Sequence, residues 1–534
     1  MKEFDYIVIG GGSGGCAVAG RLSEDPAVSV CILEAGKGDD QTLVKVPFCT
    51  ALMLPTQINN WAFETVPQPG LNGRRGYMPR GRVLGGSSSI NAMVYTRGHP
   101  WDYDRWAALG NEGWAFRDVL PYFIKSEHNE NLHGEYHGQG GPLNVANLRT
   151  TNPFQKIYLE AARQAGFPLI DDFNGADQEG IGIYQVTQKD GERWNAARAY
   201  LAPHLASRPN LTVITQARAR RILFDGKRAG GVEVLQGGEI LSFKARRELI
   251  LGAGALQSPQ LLMLSGIGAG AELRKFGIPV IHDLPGVGKN LQDHPDYVFN
   301  YRAKSLDLLG ISLGGSLRLM KEIRRYRRDR TGMMTSNGAE GGGFLRRFPD
   351  SPAPEFQLHF VVGMIDSHAR KLHLGHGYSC HICLLRPKSI GTVALASADP
   401  LAAPSVDPKF FDHPDDLDAM VAGFKLTRKI MDAPALATIR SSEVYTAGIH
   451  SDDDIREELK NRSDTIYHPV GTCKMGSDAM AVVDSRLRVH GLEGLRVVDA
   501  SIMPALIGGN TNAPTLMIGE KAAEMIRLDG GLAA

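Results

Sequence analysis

A chain of 534 residues exceeds what one ordinary hydrophobic core supports, so two or three domains, or one large domain with a second woven into it, are expected. With 43% hydrophobic and 22% charged residues and a formal net charge of +1, the composition is that of a soluble globular protein, and nothing in it steers the chain toward nucleic acid. No apolar run reaches the roughly 18 residues needed to cross a bilayer, and no basic leader or cleavage site precedes the first strand, which points to the cytoplasm or to the inner face of a membrane.

The first predicted element is a strand. Phe4 to Ile9 (FDYIVI) is a nearly continuous apolar run of the kind buried on both faces. Gly10, Gly12 and Gly15 follow as G-x-G-x-x-G, then a helical stretch with Ala17, Val18 and Leu22 apolar, then a second apolar run, Val28 to Leu33, that ends at Glu34. In such a βαβ unit the first glycine permits the turn, the second lets a pyrophosphate approach the backbone, and the third lets helix and strand pack closely. The helix N-terminus offers N–H groups to phosphate, and Glu34 stands where a carboxylate can accept from ribose hydroxyls. These forty residues establish a dinucleotide site without choosing between FAD and NAD.

Arg80 to Asn91 (RGRVLGGSSSIN) is a glycine–serine loop, suited either to a surface or to presenting N–H groups to a cofactor. Between about 195 and 295 the chain reads as α/β again. Leu211 to Ile214, Gly231 to Val234 and Glu248 to Gly252 are predicted strands, and Ser258 is expected to cap a helix with Pro259 at its first position. From about 300 to 462 the composition changes. Residues 316 to 330 carry seven basic and two acidic side chains, with Leu319, Ile323 and Tyr326 on one helical stripe. That pattern fits a solvated face over a core stripe, or a peripheral contact with an anionic membrane. Strands resume at Glu355 to Val362 and Tyr378 to Leu385. Cys380 and Cys383, three apart on the latter, point to opposite faces and read as structural thiols; no metal site is expected. With Cys16, Cys31, Cys49 and Cys473, they suggest a reducing compartment. Gly509 to Asn512 precedes a last helix of about fifteen residues, which Thr511 or Asn512 can cap.

Five separate segments together give the sequence its strongest resemblance. After the N-terminal GGGSGG come GRVLGGSSSINAMVYTRG at 81–98, GALQSPQLLMLSGIG at 254–268, PGVGKNLQDH at 285–294, HPVGTCKMG at 468–476, and VVDASIMP with GNTNAPT at 497–515. In order and spacing they resemble the glucose–methanol–choline (GMC) oxidoreductases, nearest to the bacterial branch of primary-alcohol, polyethylene glycol and choline dehydrogenases. The resemblance covers essentially the whole chain. It implies a Rossmann-like FAD-binding domain (1–152, 193–299 and 463–534) interleaved with an α+β substrate domain built on an antiparallel sheet (153–192 and 300–462). The position where some members tether FAD through a His is Ile90 here, so FAD is expected to be held noncovalently.

The resemblance also assigns residues. It implies FAD contacts at Gly10, Gly12, Ser13, Gly15, Glu34 and Ala35, at Gly85, Ser87, Asn91, Ala92 and Met93, at Ala217, and at Asp499, Ala500, Asn510 and Thr511. Alcohol oxidation sends a hydride from carbon to flavin N5 and the hydroxyl proton to a base, and an imidazole near neutral pKa suits that base. Any one of the 16 histidines could serve on composition alone; the HPVG motif singles out His468 as catalytic. Asn510 fills the position that carries His or Asn, with Asn512 as the alternative. Glu340 matches a position near the substrate, and His294 stands behind the base. The implied activity is oxidation of a primary alcohol, aliphatic or polyethylene glycol, to the aldehyde, with electrons passed to a quinone or another acceptor. An oxidase using O₂, a choline enzyme, a non-redox hydroxynitrile lyase and a noncatalytic FAD-binding scaffold are the alternatives.

Overall fold

The computed structural model describes residues 2–531. Lys2–Ile9 is a strand, and Tyr6 to Ile9 are essentially inaccessible to solvent. β-Branched side chains suit this place, because the strand is sandwiched in a parallel sheet with both faces covered. Ile7 lies opposite Cys31 of Val30–Leu33 on one side and opposite Leu249 of Glu239–Leu251 on the other. Leu211–Ile214 extends the sheet beyond Val30–Leu33, and Leu495–Val497 extends it beyond Glu239–Leu251. Five parallel strands thus stand in the doubly wound order 3-2-1-4-5. Glu239–Leu251 has 13 residues, far longer than the predicted strand at Glu248 to Gly252, and its first half pairs antiparallel with Arg228–Gln236. That half is mostly exposed or half-buried, so it lacks the continuous buried apolar run that marks the strand's end.

Four helices position the site: α1 (Ser13–Leu22), α2 (Gln257–Leu264), α3 (Leu313–Asp329) and α4 (Asn512–Asp529). The first and last pack face to face. A Cβ on Gly519 would lie 2.6 Å from that of Ala17, so only glycine allows this approach. Arg21 and the fully buried Glu520 lock the pair with two parallel hydrogen bonds of 2.8 and 2.9 Å.

One predicted cap is replaced and another holds its position without a side-chain bond. Leu256, not Ser258, occupies the N-cap of α2, and Pro259 is its third residue. The Ser258 hydroxyl instead donates to Asp499 Oδ2 at 2.5 Å, a partner remote in sequence. Thr511 sits at the N-cap of α4 without a capping side-chain bond, and Asn512 Oδ1 accepts from the Ser13 hydroxyl at 2.7 Å. At 18 residues, α4 is slightly longer than predicted.

The second sheet is antiparallel, running Arg440–Glu443, Pro295–Ala303, Gly375–Leu384, Phe356–Val361, Ala339–Leu345 and Gly180–Ile183, with Gly310–Ile311 and Asp464–Thr465 at its margins. Residues 295–299 and 464–465, which the resemblance groups with the flavin-binding part, pair within this sheet. Its strands alternate. Phe356, Leu358 and Phe360 join a core with Tyr158, Phe299 and Phe424, while His359 and Val361 face the other way. Cys380 and Cys383 fall in two different apolar clusters, and all six cysteines are free and buried.

Candidate active site

A large cavity is lined by residues of both sheets and of the loops between them. At one end its wall is backbone. Gly10, Gly12, Ser13 and Gly14 line it at the start of α1, where the first N–H groups of the helix have no partner within it. Gly15 lies behind this wall; a Cβ there would come within 2.0 Å of Gly10 O, so its role is close packing. Glu34 and Ala35 line the cavity beside Ala217. The Glu34 carboxylate accepts from the N–H groups of Gly11 (2.9 Å) and Gly36 (2.7 Å), and burial pushes it up to about 7.

The glycine–serine loop meets the first glycine loop directly. Gly85, with φ +89°, donates its N–H to Gly11 O at 2.7 Å and lies behind the wall, while Gly86 and Ser87 line it. Asn91, Ala92 and Met93 continue the wall. Asn91 Oδ1 accepts from Met93 N and from Arg193, a fully buried cation that also bonds the carbonyls of Val44 and Ser88. Asp499, Ala500 and Thr511 line the cavity near α4. Asp499 is clamped by the N–H groups of Gly254 and Ser501 and by the Ser258 hydroxyl.

At the other end the wall is made of side chains. His468 and Asn510 both line the cavity, and Asn510 Nδ2 lies 3.2 Å from His468 Nε2. Asn510 Oδ1 is taken by two donors, Gln357 Nε2 at 2.9 Å and Thr96 Oγ1 at 3.1 Å, so the amide nitrogen faces the imidazole. Behind His468, its Nδ1 lies 3.0 Å from His294 Nδ1, and His294 Nε2 lies 3.1 Å from Ile507 O. A carbonyl can only accept. His294 therefore carries its proton on Nε2, its Nδ1 accepts from His468 Nδ1–H, and the lone pair of His468 is on Nε2. Burial, then the neighbouring His294, His359 and Arg80, holds His468 well below the usual histidine pKa. Burial pushes His294 down to about 3. The result is a neutral imidazole with its basic nitrogen aimed at the cavity.

Two family models, both described as GMC oxidoreductase, match residues 4–296 and 387–519. The chain belongs to the GMC oxidoreductase family. It is similar to an alcohol dehydrogenase [acceptor] of Pseudomonas putida, 47% identical over 98% of this chain and 95% of the relative. It is also similar to the mitochondrial choline dehydrogenase of Homo sapiens, 44% identical over 98% and 90%. Among solved structures it resembles pyridoxine 4-oxidase from Mesorbium loti, at a TM-score of 0.88 and 31% identity over 98% of both chains. Formate oxidase matches at a TM-score of 0.91 and 29% identity over 99% of both chains.

GMC oxidoreductases bind FAD, and the residues of this one fit it. A side chain at Gly12 would occupy the space before the α1 N-terminus, where only Gly252 O comes within 4 Å of a Cβ. No acceptor among the described residues takes the Asn91 amide hydrogens, whose residue lines the cavity. The N-terminus of α4, with Thr511, Asn512 and Thr515 on the wall, presents its positive end there. Ile90 is buried and lines the cavity without a nucleophilic atom to offer.

Sequence reading missed three side chains at the His468 end. His359 and His381 lie opposite each other on neighbouring strands and line the wall, and Gln357 orients Asn510. Among the described residues neither ring nitrogen of His359 has a hydrogen-bond partner, and burial pushes it down to about 3. The alternation F-Q-L-H-F-V at 356–361 carries the signal, because a period of two puts Gln357 and His359 on one face. Glu340 requires a correction. It is fully buried and absent from the cavity wall; Ser336 Oγ (2.6 Å) and Gln155 Nε2 (2.7 Å) donate to it beside a separate small cleft. Ala339 lines the main cavity, and adjacent residues on a strand point to opposite faces.

Proposed function

We propose that this GMC oxidoreductase oxidises an uncharged primary alcohol, aliphatic or polyethylene glycol, to the aldehyde, and passes the electrons to a quinone or a similar acceptor. The observation that carries this reading is the lone pair on His468 Nε2 with Asn510 Nδ2 beside it. His468 takes the hydroxyl proton at Nε2. Asn510 cannot act as a base, but its amide donates to the substrate oxygen and holds it beside the imidazole. FAD would supply the two-electron acceptor when bound, and the hydroxyl proton would rest on His468 Nε2. Gln357 and Thr96 keep the Asn510 amide from flipping.

An uncharged alcohol is favoured over choline by the walls near the base. Val94, Leu309, Ala339, Val361 and Ile365 are apolar, and the only carboxylates among the described lining residues are Glu34 and Asp499. Asp296 is turned to His381 Nδ1 at 2.7 Å and does not line the cavity. Transfer to an acceptor accords with the name of the Pseudomonas putida relative, an alcohol dehydrogenase [acceptor], which does not say which acceptor. A second reading, an oxidase that reduces O₂, is favoured by the two solved oxidases.

The test is anaerobic flavin bleaching by butanol, octanol, choline, a polyethylene glycol and an aromatic alcohol, in wild type and His468→Ala. A primary alcohol should bleach the wild type, and the variant should retain FAD yet react about 10²- to 10⁴-fold more slowly. Unchanged bleaching in the variant defeats the assignment of the base. Peroxide release compared with quinone reduction separates oxidase from dehydrogenase.

A further inference from the structure

Apolar side chains scattered singly over a surface need no explanation, but a contiguous exposed group does. The three most exposed large apolar side chains among the described residues are Leu313, Leu374 and Leu372, at 82%, 75% and 74%. They lie in one region. Gly310–Ile311 pairs with the start of Gly375–Leu384, and Ile311 also bridges to Leu374. Leu313 opens α3 two residues later, and the Leu306 side chain borders Gly314. Along α3, Leu313, Leu317 and Met320 recur at i, i+4 and i+7, and each is at least half exposed.

This outward stripe is separate from the one α3 needs for folding. Leu319, Ile323 and Tyr326 pack on Val46, Cys49 and Met334. The helix therefore meets its core with one face and shows solvent a second apolar face. Beyond Met320 the outward face turns basic, with Lys321, Arg324 and Arg327 exposed. Arg318, Arg328 and Arg330 pair with Asp307, Asp329 and Glu192, but no described carboxylate pairs with those three cations. The same two segments reach the cavity, since Leu309 and Ala369 line its wall.

We propose that residues 306–327 and 370–374 form a collar that seats the protein on an anionic lipid surface, beside the alcohol end of the cavity. Leucines entering the acyl boundary and unpaired cations beside the headgroups are the chemistry that holds an amphipathic helix at a bilayer interface. A second copy of the chain matches this face less well, because pairing it with itself brings the two clusters of Lys321, Arg324 and Arg327 together. The inference does not rest on which alcohol is oxidised.

The test is co-sedimentation of the holoenzyme with vesicles of phosphatidylcholine alone or with about 30% phosphatidylglycerol. Wild type should bind the anionic vesicles, and about 0.5 M salt should weaken binding at least tenfold. The triple variant Lys321→Glu, Arg324→Glu, Arg327→Glu should lower partitioning by about tenfold or more. Leu313→Ser with Leu317→Ser and Leu372→Ser should lower it about as much. Both variants should keep bound FAD and wild-type thermal stability, which shows that they fold, and this readout stands even if no tested alcohol bleaches the flavin. Wild type left in the supernatant with anionic vesicles, or variants that bind as wild type does, overturns the proposal. So does a dimer in light scattering that the leucine variant splits while vesicles bind nothing.

Discussion

The dinucleotide end of the cavity is walled by main chain: Gly10, Gly12 and Gly86 keep side chains out, and two loops touch through a bond from Gly85 N–H to Gly11 O. The alcohol end is walled by side chains from four separate stretches of sequence, among them His359, His381, His468 and Asn510, with Gln357 bonded to Asn510 behind the wall. Backbone recognition tolerates no added atom, whereas side-chain recognition tolerates substitution at a graded cost. A change at the first end should decide whether the cofactor binds; a change at the second should leave the cofactor in place and alter the rate.

The largest effect is expected at Gly15→Ala. Its methyl would meet Gly10 O at 2.0 Å, a main-chain atom that cannot swing away. FAD content should fall to less than about one tenth of wild type, with loss of thermal stability. A fully yellow Gly15→Ala protein would show that this wall yields more than its geometry allows. Next, Asn510→Ala removes the donor beside the proposed base, His468. Flavin reduction should slow by about 10²-fold while FAD stays bound, measured by stopped flow. His294→Leu takes away the acceptor for His468 Nδ1–H and frees the ring to change tautomer, so a decrease of about tenfold is expected. An equal loss of FAD in either variant would erase the distinction between the two ends.

The smallest effect is the response to acid. His468 has its pKa lowered, so its proton-accepting form persists as pH drops through the ordinary value of 6.5. Log kcat/KM should therefore stay level as pH falls from about 8 through 6.5, declining only further into acid. A decline centred at or above 6.5 would mean that another group serves as base. Stability should move the other way round from a salt-bridged histidine. Because the folded pKa of His468 and His294 is depressed, the unfolded chain binds more protons below 6.5, so their contribution is complete above that pH and fades below it.

Most of the dinucleotide end is legible in sequence because its demands are local. Gly10, Gly12 and Glu34 lie in one βαβ unit, where spacing alone dictates the chemistry. His468 and Asn510 could be named only through the resemblance, since 16 histidines offer no local basis for choice. The errors share a cause. Ser258 has the local form of a cap, but Asp499, 241 residues away, takes its hydroxyl. Glu340 sits in the right segment, yet the strand's pleat turns it from the cavity. His359 and His381 meet only once two strands are paired, which no single stretch of sequence states.

The contact of α1 with α4 has a consequence for biosynthesis. Arg21 leaves the ribosome 499 residues before its partner Glu520, and Gly14 and Ala17 are covered only once Gly519 has emerged. Until α4 has emerged, the nascent nucleotide pocket lacks a wall, and the small-residue face of α1 stands open. Chains cut short before residue 512 should therefore fail to retain FAD, which the flavin absorbance of such a truncation would show.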